Sequence, residues 1–181
     1  MLKIVVPAWE DYDPVKQEFV SGKETTLKME HSLVSLSKWE SIYCKPFLGK
    51  KDLTWEEFLS YVKCMTHRSQ EIDPKVFDHL TETNIKEIRD YIDAPMTATT
   101  ISNRMNRRMS REVITSEIIY YWMISLEIPM ECQKWHLNRL ITLIDVVGIK
   151  RQPPKKMGKK DAASRYHSVN AARRAKHGSR G

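Results

Sequence analysis

The sequence predicts a mainly α-helical protein with a small antiparallel β element at its N-terminus, an α+β arrangement, followed by a basic C-terminal extension. Three observations lead to this prediction. Short β-branched and alternating runs open the chain, apolar residues then recur at helical spacing, and the composition changes after residue 149. We therefore expect a helical body with an N-terminal β-hairpin over residues 1–149 and a flexible basic tail over residues 150–181.

The first thirty residues predict a small antiparallel sheet or hairpin. Leu2–Val6 is a β-branched run that Pro7 ends. Residues 16–20 predict a second strand, which is followed by a turn at residues 21–22. Thr25–Met29 alternates polar with apolar residues, as a strand with one buried face does.

Helical spacing dominates the next part of the chain. Residues 31–43 place leucines and aromatic residues on one stripe, and Pro46 ends this helix. Thr54 and Glu57 have the spacing of a capping box, which predicts the start of a helix that continues to Met65.

Two further helical segments and one extended segment follow. Asp73 at a cap position and Pro74 at the first helical position start a short helical segment. Thr83 starts another helix, which ends at Ile92. The threonine-rich stretch 96–101 predicts extended chain, with an added strand as one interpretation.

Two apolar helices are predicted to form an αα-hairpin at the centre of the core. Ser110 is placed to cap a long helix over residues 111–126, and Pro129 interrupts the helical pattern. The second helix covers residues 130–147, with Gly148 as its terminator. A short Pro-containing elbow between two such helices is typical of antiparallel neighbours.

Large aromatic residues are expected to belong to the core. The run from Tyr120 to Trp122 has the composition of a base-stacking surface, but on a helix its three side chains point in different directions. We therefore predict no continuous stacking platform. Trp135 and Leu140 are expected to be buried side chains of the hairpin.

The charge of the chain is divided unequally. The last 34 residues carry eleven Lys/Arg and one acidic residue, whereas the first 147 carry nineteen Lys/Arg and twenty-two Asp/Glu. The net charge of +7 thus consists of +10 in the tail and −3 in the body. Such a tail binds nucleic acid by counterion release, contacts an acidic protein surface, or only keeps the protein soluble. In isolation it is expected to be disordered or a marginal solvated helix.

Basic side chains are the predicted partner-binding residues. Some lie in a polar link before the long helix, and the others lie in the tail. The predicted set is Arg104, Arg107, Arg108, Lys155, Lys156, Lys159, Lys160, Arg173 and Arg174.

Metal and catalytic chemistry are expected to be absent. Cys64 with His67, and Cys132 with His136, have helical spacings that suit a tetrahedral zinc site. Both cysteines lie in apolar stripes, however, where a free thiol behaves as a small hydrophobic side chain. The sequence has no nucleophile elbow, oxyanion-hole turn or phosphate-binding glycine loop. We expect no metal, no cofactor and no enzymatic activity.

Cysteine usage and hydropathy predict a cytoplasmic protein. Three cysteines lie far apart in the sequence, as is typical of reduced thiols. The longest apolar run, residues 118–126, is about half as long as a membrane span. The N-terminal residues lack the pattern of a signal peptide, and no membrane association is expected.

Four stretches resemble a protein family from the tail-gene cassette of long-tailed bacteriophages and prophages of Gram-positive hosts. They are HSLVSLSKWES at residues 31–41, DAPMTAT at 93–99, EVITSEIIYYWMISLEIPMECQKWHLNRLITLI at 112–144, and QPPKKM with AARRAK in the tail. On these residues the chain resembles tail assembly chaperone-like proteins. The resemblance covers nearly the whole chain and is weakest in the N-terminal strands.

The resemblance implies a non-enzymatic phage tail morphogenesis factor. Such a chaperone holds helices of the tape-measure protein until tail-tube subunits assemble around them, so the implied partners are tape-measure and tail-tube proteins in the host cytoplasm. No catalytic residue carries over. The alternative is a nucleic-acid-binding or virion structural protein of the same cassette, in the connector or the tail, that uses the basic tail. Weak non-specific nucleic-acid binding is expected from the charge of the tail in either case.

Overall fold

A computed structural model describes six stretches of the chain, which are residues 1–15, 17–48, 53–67, 72–101, 113–151 and 158–178. The chain divides into two compact units, Met1–Ile149 and Lys150–Gly181. The first unit combines helices with short antiparallel strands, so the predicted mainly α-helical α+β class is confirmed. Of the helices that the structure describes, none has the length and apolar character needed to cross a membrane.

The first sheet pairs the two ends of the N-terminal segment. Strand β1 (Leu2–Val6) runs antiparallel to β4 (Thr25–Met29), with Ile4 opposite Leu27. Both of these side chains are buried, because alternation along a strand places every second residue on the same face. The predicted first and third strands are therefore confirmed.

The second sheet is a hairpin of β2 (Trp9–Asp13) and β3 (Glu18–Gly22). The sequence does not predict β2, because three of its five residues are acidic. The strand predicted over residues 16–20 lies two residues further along the chain, and the predicted turn at residues 21–22 is wrong. Gly22 lies opposite Trp9, where a β-carbon would overlap the indole ring, so this glycine serves close packing and not a turn.

Helices α1 (Leu33–Tyr43) and α2 (Trp55–Met65) begin at reciprocal capping boxes. The predicted box of Thr54 and Glu57 is confirmed: Glu57 N donates to Thr54 Oγ1 at 3.2 Å, and Thr54 N donates to a Glu57 carboxylate oxygen at 3.1 Å. α1 contacts α2 and, further along the chain, α4 (Ser116–Ser125). Helix α1 therefore lies at the centre of the core, where the sequence predicts an αα-hairpin.

The segment after α2 also begins at its predicted cap. Asp73 accepts a hydrogen bond from the backbone of Lys75 at the start of a 3₁₀ helix, Pro74–His79. Helix α3 (Glu82–Asp93) begins one residue earlier than the predicted start at Thr83, because Thr81 is its capping residue.

The stretch after α3 is a loop. The added strand considered for residues 96–101 is absent from this described stretch. Met96 has a φ of 48°, in the left-handed region, which interrupts an extended conformation.

Helix α4 begins later than predicted. Residues 113–115 are described and are not helical, and Ser110, the predicted cap, lies outside the described residues. The backbone N–H of Ser116 donates at 2.7 Å to the buried carboxylate of Glu40 in α1. A distant side chain therefore satisfies one of the free N–H groups at this helix start, which local sequence spacing does not reveal.

The single helix predicted over residues 130–147 is divided. A 3₁₀ helix, Met130–Lys134, precedes α5 (Leu137–Arg151), so the predicted terminator Gly148 lies inside α5. The division follows from tertiary hydrogen bonding, because Leu137 N donates at 2.7 Å to the backbone carbonyl of His31. Of the two predicted core residues, Leu140 is fully buried and Trp135 is half-buried.

The second unit contains α6 (Lys159–His177), which ends at Gly178 in the left-handed conformation. Every side chain described in this helix is exposed. Of the two states predicted for the tail in isolation, the solvated helix is the one that the structure contains.

Candidate functional site

The first unit contains an open cleft of about 760 Å³ between the end of α3 and α5, which we call the α3–α5 cleft. Asn138, Thr142 and Asp145 line it from one face of α5, because spacings of four and three residues place side chains on the same side of a helix. The other lining residues come from the end of α3, the loop after it, the residue before the cap of α1 and the loop after α1. They are His31, Phe47, Leu48, Ile92, Asp93, Pro95, Thr97, Thr99, Thr100 and Ile101.

One lining residue, His31, belongs to a pair of buried histidines. The rings of His31 and His136 are 5.1 Å apart between centroids. A hydrogen bond of 2.5 Å joins His31 Nδ1 to the hydroxyl of Tyr61, and His136 Nε2 donates to the backbone carbonyl of Tyr91 at 2.9 Å. His136 Nδ1 accepts from the backbone of Asn138, so both of its ring nitrogens have partners.

Burial sets the protonation of this pair. Burial, together with the smaller effect of the neighbouring His136, lowers the pKa of His31 from 6.5 to about 3. Burial also lowers the pKa of His136, although the bond to the carbonyl of Tyr91 opposes that shift. Both imidazoles are therefore neutral at neutral pH and are already hydrogen-bonded within the body, which makes them structural groups and poor proton carriers.

Asn138 fastens one wall of the cleft. Its side-chain amide donates to the carbonyls of Ile92 and Ala94, each at 2.9 Å. These carbonyls lie at the C-terminal end of α3, where a helix has no internal donors left for its last C=O groups. The amide thus fixes the end of α3, and with it the start of the loop that lines the cleft.

The opposite wall depends on Glu40. One of its carboxylate oxygens accepts from the backbone of Phe47 at 3.0 Å, while the other accepts from Ser116. The Phe47 ring stacks on Tyr61 with centroids 4.0 Å apart. One buried carboxylate consequently holds an aromatic side chain of the cleft and the start of α4 in place.

Of the sequence-predicted partner-binding residues, those that the structure describes lie towards the two ends of α6. Arg104, Arg107, Arg108, Lys155 and Lys156 lie outside the described residues. Lys159 and Lys160 occupy the first two positions of α6, while Arg173 and Arg174 lie near its other end with exposed side chains.

The two Cys/His pairs do not converge. Cys132 and His136 are buried, Cys64 is half-buried and His67 is exposed. Within the described ranges, no three His, Cys, Asp or Glu side chains form a group that could hold a metal ion.

The aromatic run on α4 has the orientations that the sequence predicts. Tyr121 is exposed, while Tyr120 and Trp122 are half-buried against the core. The hydroxyl of Tyr120 donates to the side-chain carbonyl of Gln133 at 2.9 Å, which ties α4 to the 3₁₀ helix after it. The run therefore presents no continuous stacking surface.

Sequence reasoning missed the residues that build the cleft. His31 and His136 are far apart in the chain, and no local pattern indicates that they meet. The DAPMTAT stretch was the one available signal, because its residues form the loop at the cleft. A comparison of the chain with protein-family models, with curated proteins and with solved structures finds no match.

Proposed function

We propose that this protein is a non-enzymatic phage tail morphogenesis factor, a chaperone that holds apolar helical segments of the tape-measure protein in the α3–α5 cleft. The α3–α5 cleft is the observation that carries this proposal. It combines apolar side chains, among them Phe47, Leu48 and Ile101, with a border of threonine and aspartate. A groove of this kind accepts the apolar face of an amphipathic helix and leaves polar groups for its flanks.

The sequence resemblance supports the same proposal. The stretch 93–99 supplies part of the cleft loop, and the stretch 112–144 includes α4 and the first half of α5. The hydrogen bonds of His31, His136 and Asn138 favour binding over catalysis, because polar groups that are already satisfied inside the body are poor general acids, bases or nucleophiles.

A pull-down from infected or induced cells tests the proposal. The full-length protein, in the presence of nuclease, is expected to recover tape-measure or tail-tube protein. Thr100→Arg places a long charged side chain at the cleft and should reduce recovery strongly. Thr83→Arg changes an exposed threonine on α3 that does not line the cleft and should leave recovery unchanged.

Two results would count against the proposal. Equal recovery with Thr100→Arg and Thr83→Arg would place the binding site elsewhere on the body. Failure of the unmodified protein to recover either partner would remove the chaperone function.

The second candidate is a nucleic-acid-binding or virion structural protein, and the observation that favours it is α6. Arg165, Arg173 and Arg174 of this helix are exposed, as are the other side chains described in it. If the protein neutralised about six phosphates, its DNA affinity would fall on the order of 10³-fold as the salt concentration rises from 50 to 200 mM. Tape-measure binding through apolar contacts predicts only a modest salt dependence. Stoichiometric presence in purified particles would favour a structural role.

A further inference from the structure

The β2–β3 hairpin exposes an aromatic pair. Tyr12 lies opposite Phe19, and their rings meet edge to face with centroids 5.3 Å apart. Tyr12 is 54% exposed and Phe19 is 71% exposed. Large aromatic side chains are enriched at protein interfaces, so an exposed pair on a short hairpin marks a candidate interaction surface.

The other face of the hairpin is fastened to the body. Trp9 stacks on the imidazole of His79 with centroids 4.2 Å apart, and Asp11 accepts from His79 Nε2 at 3.0 Å. Alternation along the strands places Trp9 and Asp11 on one face and Tyr12 with Phe19 on the other. The aromatic pair therefore projects from a hairpin whose inner face is already packed.

The hairpin is also strongly acidic. Residues 9–24 contain five Asp/Glu and two Lys, a net charge of −3, which equals the net charge of the whole first 147 residues. Glu10 is exposed and shares the outer face with Tyr12 and Phe19, whereas Glu18 lies opposite Asp13 on the face of Trp9 and Asp11.

Cations cover aromatic rings elsewhere in the body. Arg89 lies over Phe58, Lys63 over Phe77 and Arg139 over Trp135, at 5.2, 5.5 and 4.2 Å from the ring centroids. Among the residues that the structure describes, no cation lies over Tyr12 or Phe19, although both are far more exposed than Phe58 or Phe77. The hairpin thus offers aromatic faces and carboxylates together.

We propose that the outer face of the β2–β3 hairpin binds a lysine- or arginine-rich segment of a partner protein. A guanidinium or ammonium group of that segment lies against the rings of Tyr12 and Phe19, and a further cation pairs with Glu10. The surface shares no residue with the α3–α5 cleft. The inference therefore goes beyond the proposed function and does not depend on it.

Fluorescence anisotropy with the full-length chain tests the inference. The probe is a short labelled peptide of alternating arginine and valine, and its counterpart carries glutamine in place of arginine. Phe19→Thr or Tyr12→Thr should weaken binding of the arginine peptide about two- to fivefold. Glu10→Gln should weaken it about two- to fivefold and reduce its salt dependence.

Two variants serve as matched controls. Tyr121→Ala removes an aromatic side chain of similar exposure from α4, and Glu87→Gln neutralises an exposed carboxylate on α3. Neither should change binding of the arginine peptide. Circular dichroism of each variant checks that the fold is retained, which is expected because all of the substituted side chains are exposed.

Three results would overturn the inference. The glutamine peptide could bind as tightly as the arginine peptide, or the hairpin variants could bind as tightly as the unmodified protein. Concentration-dependent self-association of the unmodified chain that Phe19→Thr abolishes would identify the occupant as a second copy of this chain and not as a separate partner.

Discussion

The buried imidazole of His31 should make the body sensitive to mild acid. The His31 side chain is 2% exposed, contacts the hydroxyl of Tyr61 and faces the ring of His136. Its pKa is about 3 in the folded state, against an ordinary value of 6.5. The unfolded chain therefore takes up a proton at a higher pH than the folded protein does. The stability of the folded state that depends on a neutral His31 is fully present above about pH 6.5 and is lost as the pH falls from there towards 3.

The expected size of the effect follows from the two pKa values. Protonation of His31 stabilises the unfolded state by about 1.4 kcal/mol for each pH unit below 6.5. At pH 5, His31 alone therefore lowers the free energy of unfolding by about 2 kcal/mol. The pKa of His136 is also lowered, and this group therefore acts in the same direction. Both contributions compare with a total stability of about 5–15 kcal/mol for a typical domain.

Urea unfolding at pH 7.5 and at pH 5, followed by tryptophan fluorescence, measures the effect. His31→Asn retains a polar group near Tyr61 but removes the titrating ring, so its loss of stability between these pH values should be smaller by about 2 kcal/mol. His167→Asn removes an exposed histidine of α6 and should leave the loss unchanged. If His31→Asn loses as much stability as the unmodified protein over this range, the reasoning from burial is refuted.

Three further predictions concern packing and buried polar groups. Gly22→Ala should destabilise the first unit by about 1–3 kcal/mol in urea unfolding, because the new methyl group overlaps Trp9. Gly148→Ala has open space in α5 and should stabilise the unit by about 0.5–1 kcal/mol. Equal effects of the two substitutions would refute the close approach of Gly22 to Trp9. Leu140→Ala should lower the free energy of unfolding by about 2–5 kcal/mol, and Trp135→Ala should lower it by less because Trp135 is only half-buried. A larger loss at Trp135 in the same assay would contradict this order of burial. Glu40→Ala should lower the free energy of unfolding by about 2 kcal/mol or more, since it leaves two backbone N–H groups without an acceptor. A loss below about 0.5 kcal/mol would show that water replaces the carboxylate.

Local signals in the sequence predicted the elements whose stabilising contacts are themselves local. The capping box at Thr54 and the cap at Asp73 are examples, since each needs only residues within one helical turn. The start of α4 could not be predicted in this way, because its acceptor, Glu40, lies in α1. The same holds for Gly22, whose role depends on a tryptophan across the hairpin.

The candidate site was the least predictable part of the molecule. Basic residues stand out in composition and were therefore the predicted partner-binding residues, whereas the cleft is built by threonines, an asparagine and apolar residues that have no distinctive local pattern. The acidic hairpin was not predicted as an interaction surface for a related reason. Its charge becomes informative only when the strand register places Tyr12 beside Phe19.

The hydrogen bond from Leu137 N to the carbonyl of His31 has a consequence for how the chain folds as it is synthesised. Together with the bridge between Ser32 and His136, it joins the start of α1 to the start of α5 across most of the first unit. Contacts between such distant residues form late, because the intervening chain must be ordered first. A nascent chain that has not yet reached α5 lacks the Asn138 amide that donates to the carbonyls of Ile92 and Ala94 at the end of α3. Completion of the first unit is therefore expected only after α5 has been synthesised, and until then the growing chain exposes incompletely packed segments that general chaperones bind.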